Sequence, residues 1–197
     1  IDLMANGVNR CKMIKIINGV DLKRFNQQYD KNDIRIKYGL PIDSKIFLSV
    51  GRLTYHKMPF RMIDLFKRIQ SQSDDYVLAI VGKGKMLPKL KAYSEKKGVR
   101  AIFLGYVEDE KLPEVYACAD YFFMTSKYEG GEPTLTVAEA MAAGLPCIVS
   151  RLPNFVFIEE NGLGLLFHPS DDDAAESDIV HFLTEGNSTG SSDVKEY

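Results

Sequence analysis

Short apolar runs alternate with longer segments of helical period along most of this chain. Runs of this length, rich in β-branched residues, are typical of strands that are buried on both faces of a sheet. Seven runs predict strands: Met13–Ile17, Ile46–Val50, Val77–Val81, Ala101–Leu104, Tyr121–Met124, Cys147–Ser150 and Gly164–Phe167. The alternation predicts an α/β fold with a Rossmann-like parallel β-sheet that is flanked by helices on both faces.

The longer segments predict seven helices: Asp33–Tyr38, Pro59–Gln70, Pro88–Lys97, Asp109–Ala117, Thr134–Ala143, Phe155–Glu160 and Asp173–Leu183. Their ends carry residues that begin or stop helices. Pro59 and Pro88 suit a first helical turn, where the missing N–H costs no hydrogen bond. Gly39, Gly98 and Gly144 lie where a left-handed residue would end a helix.

The composition is that of a globular protein, with 45% hydrophobic and 26% charged residues. Lys and Arg number 25 against 27 Asp and Glu, which gives a net charge of -2. This balance argues against electrostatic binding of nucleic acid or of an anionic membrane over a broad surface. No apolar run approaches the roughly 20 residues that cross a bilayer, and no signal peptide pattern is present, so we expect a cytoplasmic protein.

The sequence divides into three stretches. Residue 1 is not an initiator methionine, and residues 1–17 are expected to hold the end of a preceding domain or its linker, followed by the first strand. Residues 18–184 form the predicted binding domain, and the polar, Gly- and Ser-rich residues 185–197 predict a tail. Cys11, Cys118 and Cys147 contain no CxxC pair and are interpreted as reduced core residues.

Candidate chemistry lies in the loops after the strands, because parallel α/β sheets bind ligands beyond the carboxyl ends of their strands. Gly51, Arg52 and Lys57 follow the strand that ends at Val50. A glycine permits close approach of a ligand, and an Arg fork with a Lys charge suits a diphosphate. A solvated basic loop is the alternative interpretation.

Two further loops give weaker signals. Gly82 and Gly84 flank Lys83 and expose amides that suit an anion, although simple turn glycines explain them equally well. The segment lacks the third glycine of a dinucleotide fingerprint, and no P-loop occurs, so NAD and ATPase functions are disfavoured. Tyr106 and Val107 follow the predicted strand Ala101–Leu104. They either frame the base of a nucleotide or only pack against neighbouring side chains.

A glycine-rich turn with two acids leads directly into an apolar helix. Amides at such a helix start attract phosphate, yet Glu129 and Glu132 beside them repel it. A sugar attached to a diphosphate resolves this conflict, because sugar hydroxyls donate to carboxylates. Glu139 lies roughly 7–8 Å further along the helix, near the step from a diphosphate to a ribose. A carboxylate on so apolar a helix needs a partner, which favours a functional role over a solvent-facing one.

Several segments occur together in one order: Asn18–Asp21, Val50–Leu53 with Lys57, Val81–Gly84, Phe103–Val107, Ala119–Asp120, Ser126–Pro146 and Asn161–Leu165. This ordered set resembles the C-terminal, donor-binding half of a group-1 (family 4) retaining glycosyltransferase of the GT-B fold. The resemblance covers the chain from about Asn18 to Pro169. It implies one half of a GT-B fold and transfer of a hexose from a nucleotide-diphosphate sugar to a glycan or lipid-linked glycan.

The resemblance also implies a role for individual residues. Arg52 and Lys57 would bind the donor phosphates, Glu139 would hold the ribose, and Glu129 would contact the transferred sugar near its anomeric carbon. Other substrate-binding candidates are Gly51, Gly82, Gly84, Tyr106, Val107, Gly130, Glu132 and, through amides that cap the diphosphate, Thr134, Leu135 and Thr136. No metal or other cofactor is implied, and His56, His168 and His181 show no ligand spacing.

One departure from the family pattern concerns the glutamates. The family separates its pair by seven residues, whereas nine separate Glu129 from Glu139. Counting from Ser126 keeps Glu129 in register and leaves two extra residues, Gly131 and Glu132, before the next proline. Glu132 is therefore a rival for the sugar contact.

Three functions are compatible with these features. The first is a hexosyltransferase that uses a donor such as a UDP- or GDP-sugar. The second is a noncatalytic nucleotide-sugar-binding module or subunit, and the third is a phosphorylase-type relative that uses inorganic phosphate. In the first case the acceptor domain, with any membrane association, lies outside this chain, so we expect the chain alone to bind donor and barely turn over.

Overall fold

Six parallel strands form one sheet in the computed structural model, which describes residues 5–14, 16–131 and 133–185. The strands are β1 (Lys45–Val50), β2 (Tyr76–Val81), β3 (Ala101–Gly105), β4 (Tyr121–Met124), β5 (Cys147–Ser150) and β6 (Gly164–Phe167). Their spatial order is β3-β2-β1-β4-β5-β6. Chain order reverses between β1 and β4, which makes this the topological switch point of the sheet.

The described residues form eight α-helices: α1 (Leu22–Phe25), α2 (Lys31–Tyr38), α3 (Pro59–Gln70), α4 (Leu87–Lys97), α5 (Leu112–Ala117), α6 (Leu135–Ala142), α7 (Val156–Glu160) and α8 (Asp172–Glu185). Short 3₁₀ turns occur at Arg10–Lys12, Tyr55–Lys57, Asp109–Lys111 and Pro153–Phe155. The predicted fold class is confirmed, with the helix Asp109–Ala117 divided into a 3₁₀ turn and α5.

Side chains alternate across the strands, so each face of the sheet has its own core. On β1, Ile46 and Leu48 belong to a buried cluster that includes α5, α6 and α7. Phe47 points to the opposite face and joins the apolar stripe of α3 and residues of α8. Burial on both faces explains why these strands read as continuous apolar runs.

The predicted helix signals are confirmed. Pro59 and Pro88 lie in the first turns of α3 and α4. Gly39, Gly98 and Gly144 follow helices with φ of +67°, +62° and +75°, a region that favours glycine.

The predicted strand Met13–Ile17 is wrong. Residues 13, 14, 16 and 17 are described and none is in a strand, whereas Lys15 lies outside the described residues. Ile14, Ile16 and Ile17 are largely exposed. An extended segment becomes a strand only by pairing with a neighbouring backbone, and apolar side chains alone do not supply that partner.

The expected reduced core cysteines are confirmed at two of the three positions. Cys118 and Cys147 are buried, and burial raises the pKa of their thiols to about 11 and about 12. Cys11 is exposed, which corrects the prediction, because it precedes the packed part of the chain.

The chain ends beyond the packed domain are described only in part. The tail is predicted to begin at Glu185, but Glu185 is the last residue of α8, which corrects that bound. Residues 186–197 of the predicted tail lie outside the described ones. Within the described ranges, no helix combines the length and apolar character needed to cross a bilayer.

Candidate functional site

The loops after β1 and β4 meet at the switch point through an ion pair. Lys57 Nζ donates to Glu129 Oε1 at 2.5 Å. The Lys57 side chain is 20% exposed and that of Glu129 only 7%. An ion pair so shielded from water is screened less than one on the surface. The fold thus joins the cation predicted for phosphate and the acid predicted for the sugar, 72 residues apart in sequence.

Further contacts fix these two loops to each other. Thr125 Oγ1 donates to the carbonyl of Lys57 at 3.2 Å. The Lys127 amide donates to the carbonyl of His56 at 2.8 Å, and the His56 ring stacks on Tyr128 with centroids 5.1 Å apart. These contacts therefore hold the two loops that carry Lys57 and Glu129 in fixed relative positions.

The turn between Glu129 and α6 is held from two sides. Asn18 Nδ2 donates to the carbonyl of Pro133 at 2.9 Å, and Asn154 Nδ2 donates to that of Gly131 at 2.5 Å. Gly130 is exposed beside them, and Glu132 lies outside the described residues. The structure therefore leaves the choice between Glu129 and Glu132 as a prediction.

Gly82 and Gly84 are required by the packing of the chain against itself. A Cβ on Gly82 would lie 1.9 Å from the Gly51 carbonyl oxygen, and one on Gly84 would lie 2.4 Å from that of Leu53. The Gly82 amide also donates to the Gly105 carbonyl at 2.6 Å. These glycines bring the strand ends together, a structural role that needs no ligand.

A cavity of about 180 Å³ opens between the loops after β1, β2 and β3. Its lining includes Gly51, Arg52, Gly82, Tyr106 and Val107, which were predicted as site residues. Tyr106 is 59% exposed, and Lys83 Nζ lies 4.1 Å from its ring centroid.

Arg52 stands at the border between this cavity and the Lys57 loop. Its side chain is exposed, and the described part of the chain offers it no ion-pair partner. Gly51, Arg52 and Lys57 also line one narrow crevice beneath the β1 end. Both predicted cations thus border one crevice.

A larger cavity of about 560 Å³ lies beside the first turn of α3 and the start of α8. None of the predicted site residues lines it. Its Arg61 is bound to Asp172 at 2.8 Å, so these two charges satisfy each other. The smaller cavity at the strand ends is the better candidate.

The start of α6 follows the turn that holds Glu129 and Gly130. Thr134 precedes the helix, and its carbonyl accepts from the amides of Val137 and Ala138 at 3.1 and 3.0 Å. The amides of Leu135 and Thr136 lie in the turn before that ladder begins. Leu135 is 55% exposed, so an anion has access to this helix start.

Glu139 is the fifth residue of α6 and finds a partner within the chain. Tyr116 Oη donates to Glu139 Oε2 at 2.8 Å. Burial raises the pKa of Glu139, and burial together with the Glu139 charge raises that of Tyr116 well above its usual value. Sequence reasoning missed Tyr116, whose one signal was a hydroxyl within an otherwise apolar helix face.

No metal cluster is formed by the side chains that the structure describes. Nowhere among residues 5–14, 16–131 and 133–185 do three or more His, Cys, Asp or Glu side chains come together as metal ligands.

Residues 30–192 match the family model described as glycosyl transferases group 1. A UDP-Gal:alpha-D-GlcNAc-diphosphoundecaprenol alpha-1,3-galactosyltransferase of Escherichia coli is 33% identical over 181 residues, which are 88% of this chain and 46% of that protein. The sulfoquinovosyl transferase SQD2 of Arabidopsis thaliana is 29% identical over 177 residues, 86% of this chain and 33% of its own. The chain spans less than half the length of these curated relatives.

Solved structures share the fold. HepE of Anabaena, crystallised with UDP and glucose, has a TM-score of 0.75 at 21% identity and covers 94% of this chain and 51% of its own. The C-terminal domain of LpcC, a group 1 family protein of Francisella tularensis, has a TM-score of 0.68 at 20% identity, with 87% and 89% covered. At these identities the likeness concerns the fold alone.

Proposed function

This chain belongs to the glycosyltransferase group 1 family, and from that membership we propose that it is the donor-binding half of a retaining hexosyltransferase. The whole enzyme transfers a hexose from a nucleotide-diphosphate sugar to a glycan or lipid-linked glycan. The observation that carries the proposal is the Lys57–Glu129 pair at the switch point, next to the cavity bordered by Arg52.

The diphosphate binds between Arg52, Lys57 and the start of α6. Arg52 presents an exposed fork without an ion-pair partner among the described residues, and Lys57 adds a point charge. The amides of Leu135 and Thr136 donate to the remaining phosphate oxygens. These groups supply positive charge from the protein itself, so the proposed site uses no metal ion or other cofactor.

The neutral parts of the donor occupy the two sides of the diphosphate. Glu129 contacts the transferred sugar, and Glu139 accepts from the ribose hydroxyls. The base enters the cavity of about 180 Å³ beside Tyr106 and Val107. This arrangement follows the order base, ribose, diphosphate and sugar across the strand ends.

The chemistry is the departure of a nucleoside diphosphate. When the bond between the anomeric carbon and the phosphate oxygen breaks, negative charge develops on the diphosphate and positive charge on the sugar. Arg52 and Lys57 stabilise the first charge and the Glu129 carboxylate stabilises the second, each from a position held before the reaction. The incoming hydroxyl belongs to the acceptor, which we assign to a separate acceptor-binding domain. The chain's coverage of less than half of its curated relatives supports this assignment.

Two similar proteins support a uridine donor. The relative from Escherichia coli is named for a UDP-Gal donor, and the HepE crystals contain UDP and glucose. We therefore rank UDP-hexoses before GDP-hexoses for this chain.

A thermal-shift titration of the chain with UDP, GDP, ADP and their hexose conjugates tests the proposal. Ligand at a hundred times its dissociation constant adds about 2.7 kcal/mol of stability. We expect a shift selective for one base, unchanged by EDTA. If the melting temperature with every nucleotide equals that of the chain alone, the donor-binding role is contradicted.

Replacing Arg52 by alanine weakens binding of the nucleoside diphosphate. Loss of a charged hydrogen bond in the site costs about 1.5–3 kcal/mol, and calorimetry measures the affinity. Arg100→Ala is the matched control. Arg100 is also exposed, but it precedes β3 and so lies at the amino ends of the strands, whereas Arg52 lies at their carboxyl ends. An affinity equal to that of the unmodified chain would remove Arg52 from the site.

A further inference from the structure

A buried tyrosine holds the carboxylate that we assign to the ribose. The Tyr116 side chain is fully buried near the end of α5, and its Oη donates to Glu139 Oε2 at 2.8 Å. Its ring packs edge-on against Phe25 with centroids 5.6 Å apart and tilted against Phe122 at 6.2 Å. Close packing on two sides fixes the position of the hydroxyl.

The Tyr116 hydroxyl carries one hydrogen and has two acceptors within reach. Glu139 Oε2 lies at 2.8 Å and the Thr136 carbonyl at 3.3 Å. A charged acceptor at the shorter distance forms the stronger hydrogen bond. The hydroxyl is therefore directed at Glu139.

Glu139 itself is less constrained than Tyr116. It is only half-buried, and its Oε1 has no hydrogen-bond partner in the described part of the chain. A glutamate on a helix has several staggered rotamers. A hydrogen bond from a fixed hydroxyl selects one of them and leaves Oε1 to a ligand.

We infer that Tyr116 is a positioning residue that orients Glu139 toward the ribose hydroxyls of the bound nucleotide. The inference rests on the proposed function, which assigns the ribose to Glu139. Two charged groups lie near Glu139. Arg24 of α1 lowers the pKa of Glu139 and so favours its charged form, and Asp109 of the 3₁₀ turn before α5 raises that pKa. Among the described residues the hydrogen bond to Glu139 comes from Tyr116, whereas Arg24 donates to the Asp109 carbonyl.

The test compares Tyr116→Phe with the unmodified chain. Calorimetry gives dissociation constants for UDP, GDP and ADP and for their 2′,3′-dideoxy counterparts. In the unmodified chain the ribose diol strengthens binding, and in Tyr116→Phe we expect this preference to fall by about threefold to tenfold, the effect of one hydrogen bond. Affinity for the dideoxy nucleotides stays the same, since they lack the hydroxyls that Glu139 binds.

Tyr93→Phe is the matched control. Its hydroxyl also donates to a carboxylate, Asp64 Oδ1 at 2.7 Å, but between α4 and α3. We expect its diol preference to equal that of the unmodified chain. Circular dichroism establishes that each variant is folded. If Tyr116→Phe is not folded, 4-aminophenylalanine at position 116 replaces it and, as a weaker donor, gives an intermediate diol preference.

A pH series adds a readout that a merely structural role does not move. The Tyr116 hydrogen bond lowers the pKa of Glu139, which burial raises. Without the hydroxyl that pKa rises further, so on acidification from neutral pH the nucleotide affinity of Tyr116→Phe begins to fall at a higher pH than that of the unmodified chain.

The outcomes separate the two proposals. A diol preference and pH profile unchanged by Tyr116→Phe would overturn the positioning role and leave donor binding intact. Nucleotide binding without any diol preference in the unmodified chain would overturn the ribose role of Glu139 and with it this inference. Absence of nucleotide binding altogether would overturn the proposed function itself.

Discussion

Gly82→Ala is expected to destabilise the domain by about 3 kcal/mol, the upper range for overpacking. The added Cβ would lie 1.9 Å from the Gly51 carbonyl oxygen and 3.0 Å from its carbonyl carbon. These are backbone atoms at the end of β1, so no side chain can rotate to relieve the overlap. The Gly82 amide donates a hydrogen bond to the Gly105 carbonyl, so the end of β2 can move away from β1 only by losing that hydrogen bond.

The same substitution is expected to weaken nucleotide binding, because the displaced loops line the cavity at the strand ends. The chain has no tryptophan, so urea unfolding is followed by far-UV circular dichroism. Gly19→Ala is the control: a Cβ there meets nothing within 4 Å, and we expect a change within about 0.5 kcal/mol. Equal urea midpoints for Gly82→Ala and the unmodified chain would show that the two strand ends do not approach so closely in solution.

Glu129→Gln is expected to lower hexose transfer by roughly a hundredfold, as does removal of one electrostatic group that acts on the transition state. Glutamine keeps the shape of Glu129 and removes its charge. Transfer is measured as steady-state turnover of a polypeptide that joins this chain to an acceptor-binding domain. Affinity of the chain for the nucleoside diphosphate does not fall in this variant, because the charge of Lys57 becomes fully available to phosphate.

Glu132→Gln is the informative comparison for that variant. Both glutamates lie between Ser126 and Pro133 in the sequence, and the two-residue departure from the family pattern makes either a candidate for the sugar contact. We expect Glu132→Gln to retain transfer. If it is the damaging variant and Glu129→Gln retains transfer, then the motif register that begins at Ser126 is wrong.

Local patterns were sufficient for most elements of the fold. The helix Pro59–Gln70 and the strands Tyr121–Met124, Cys147–Ser150 and Gly164–Phe167 have the bounds that periodicity and glycine or proline signals predict. Met13–Ile17 has the same apolar character as these strands and is not one. Pairing requires a neighbouring backbone, which hydrophobicity does not report.

The candidate site was predictable as a set of loops and not as a set of contacts. Arg52 was identified from the charges that follow a strand, and the structure places it beside the cavity predicted to hold the base. Gly82 was predicted to serve either a turn or an anion, and the structure shows the packing that requires it. The partner that Glu139 needs is Tyr116, 23 residues earlier, which no spacing rule indicates.

The sequence by itself determined the class of fold, the approximate positions of seven of the eight described helices and the candidate residues at the strand ends, because these depend on local periodicity and on backbone preferences of single residues. Only the tertiary structure decided the strand order, the union of Lys57 with Glu129 across the switch point, and the support of Glu139 by Tyr116. These contacts join residues that are distant in sequence, and their geometry is set by how the helices pack on both faces of the sheet.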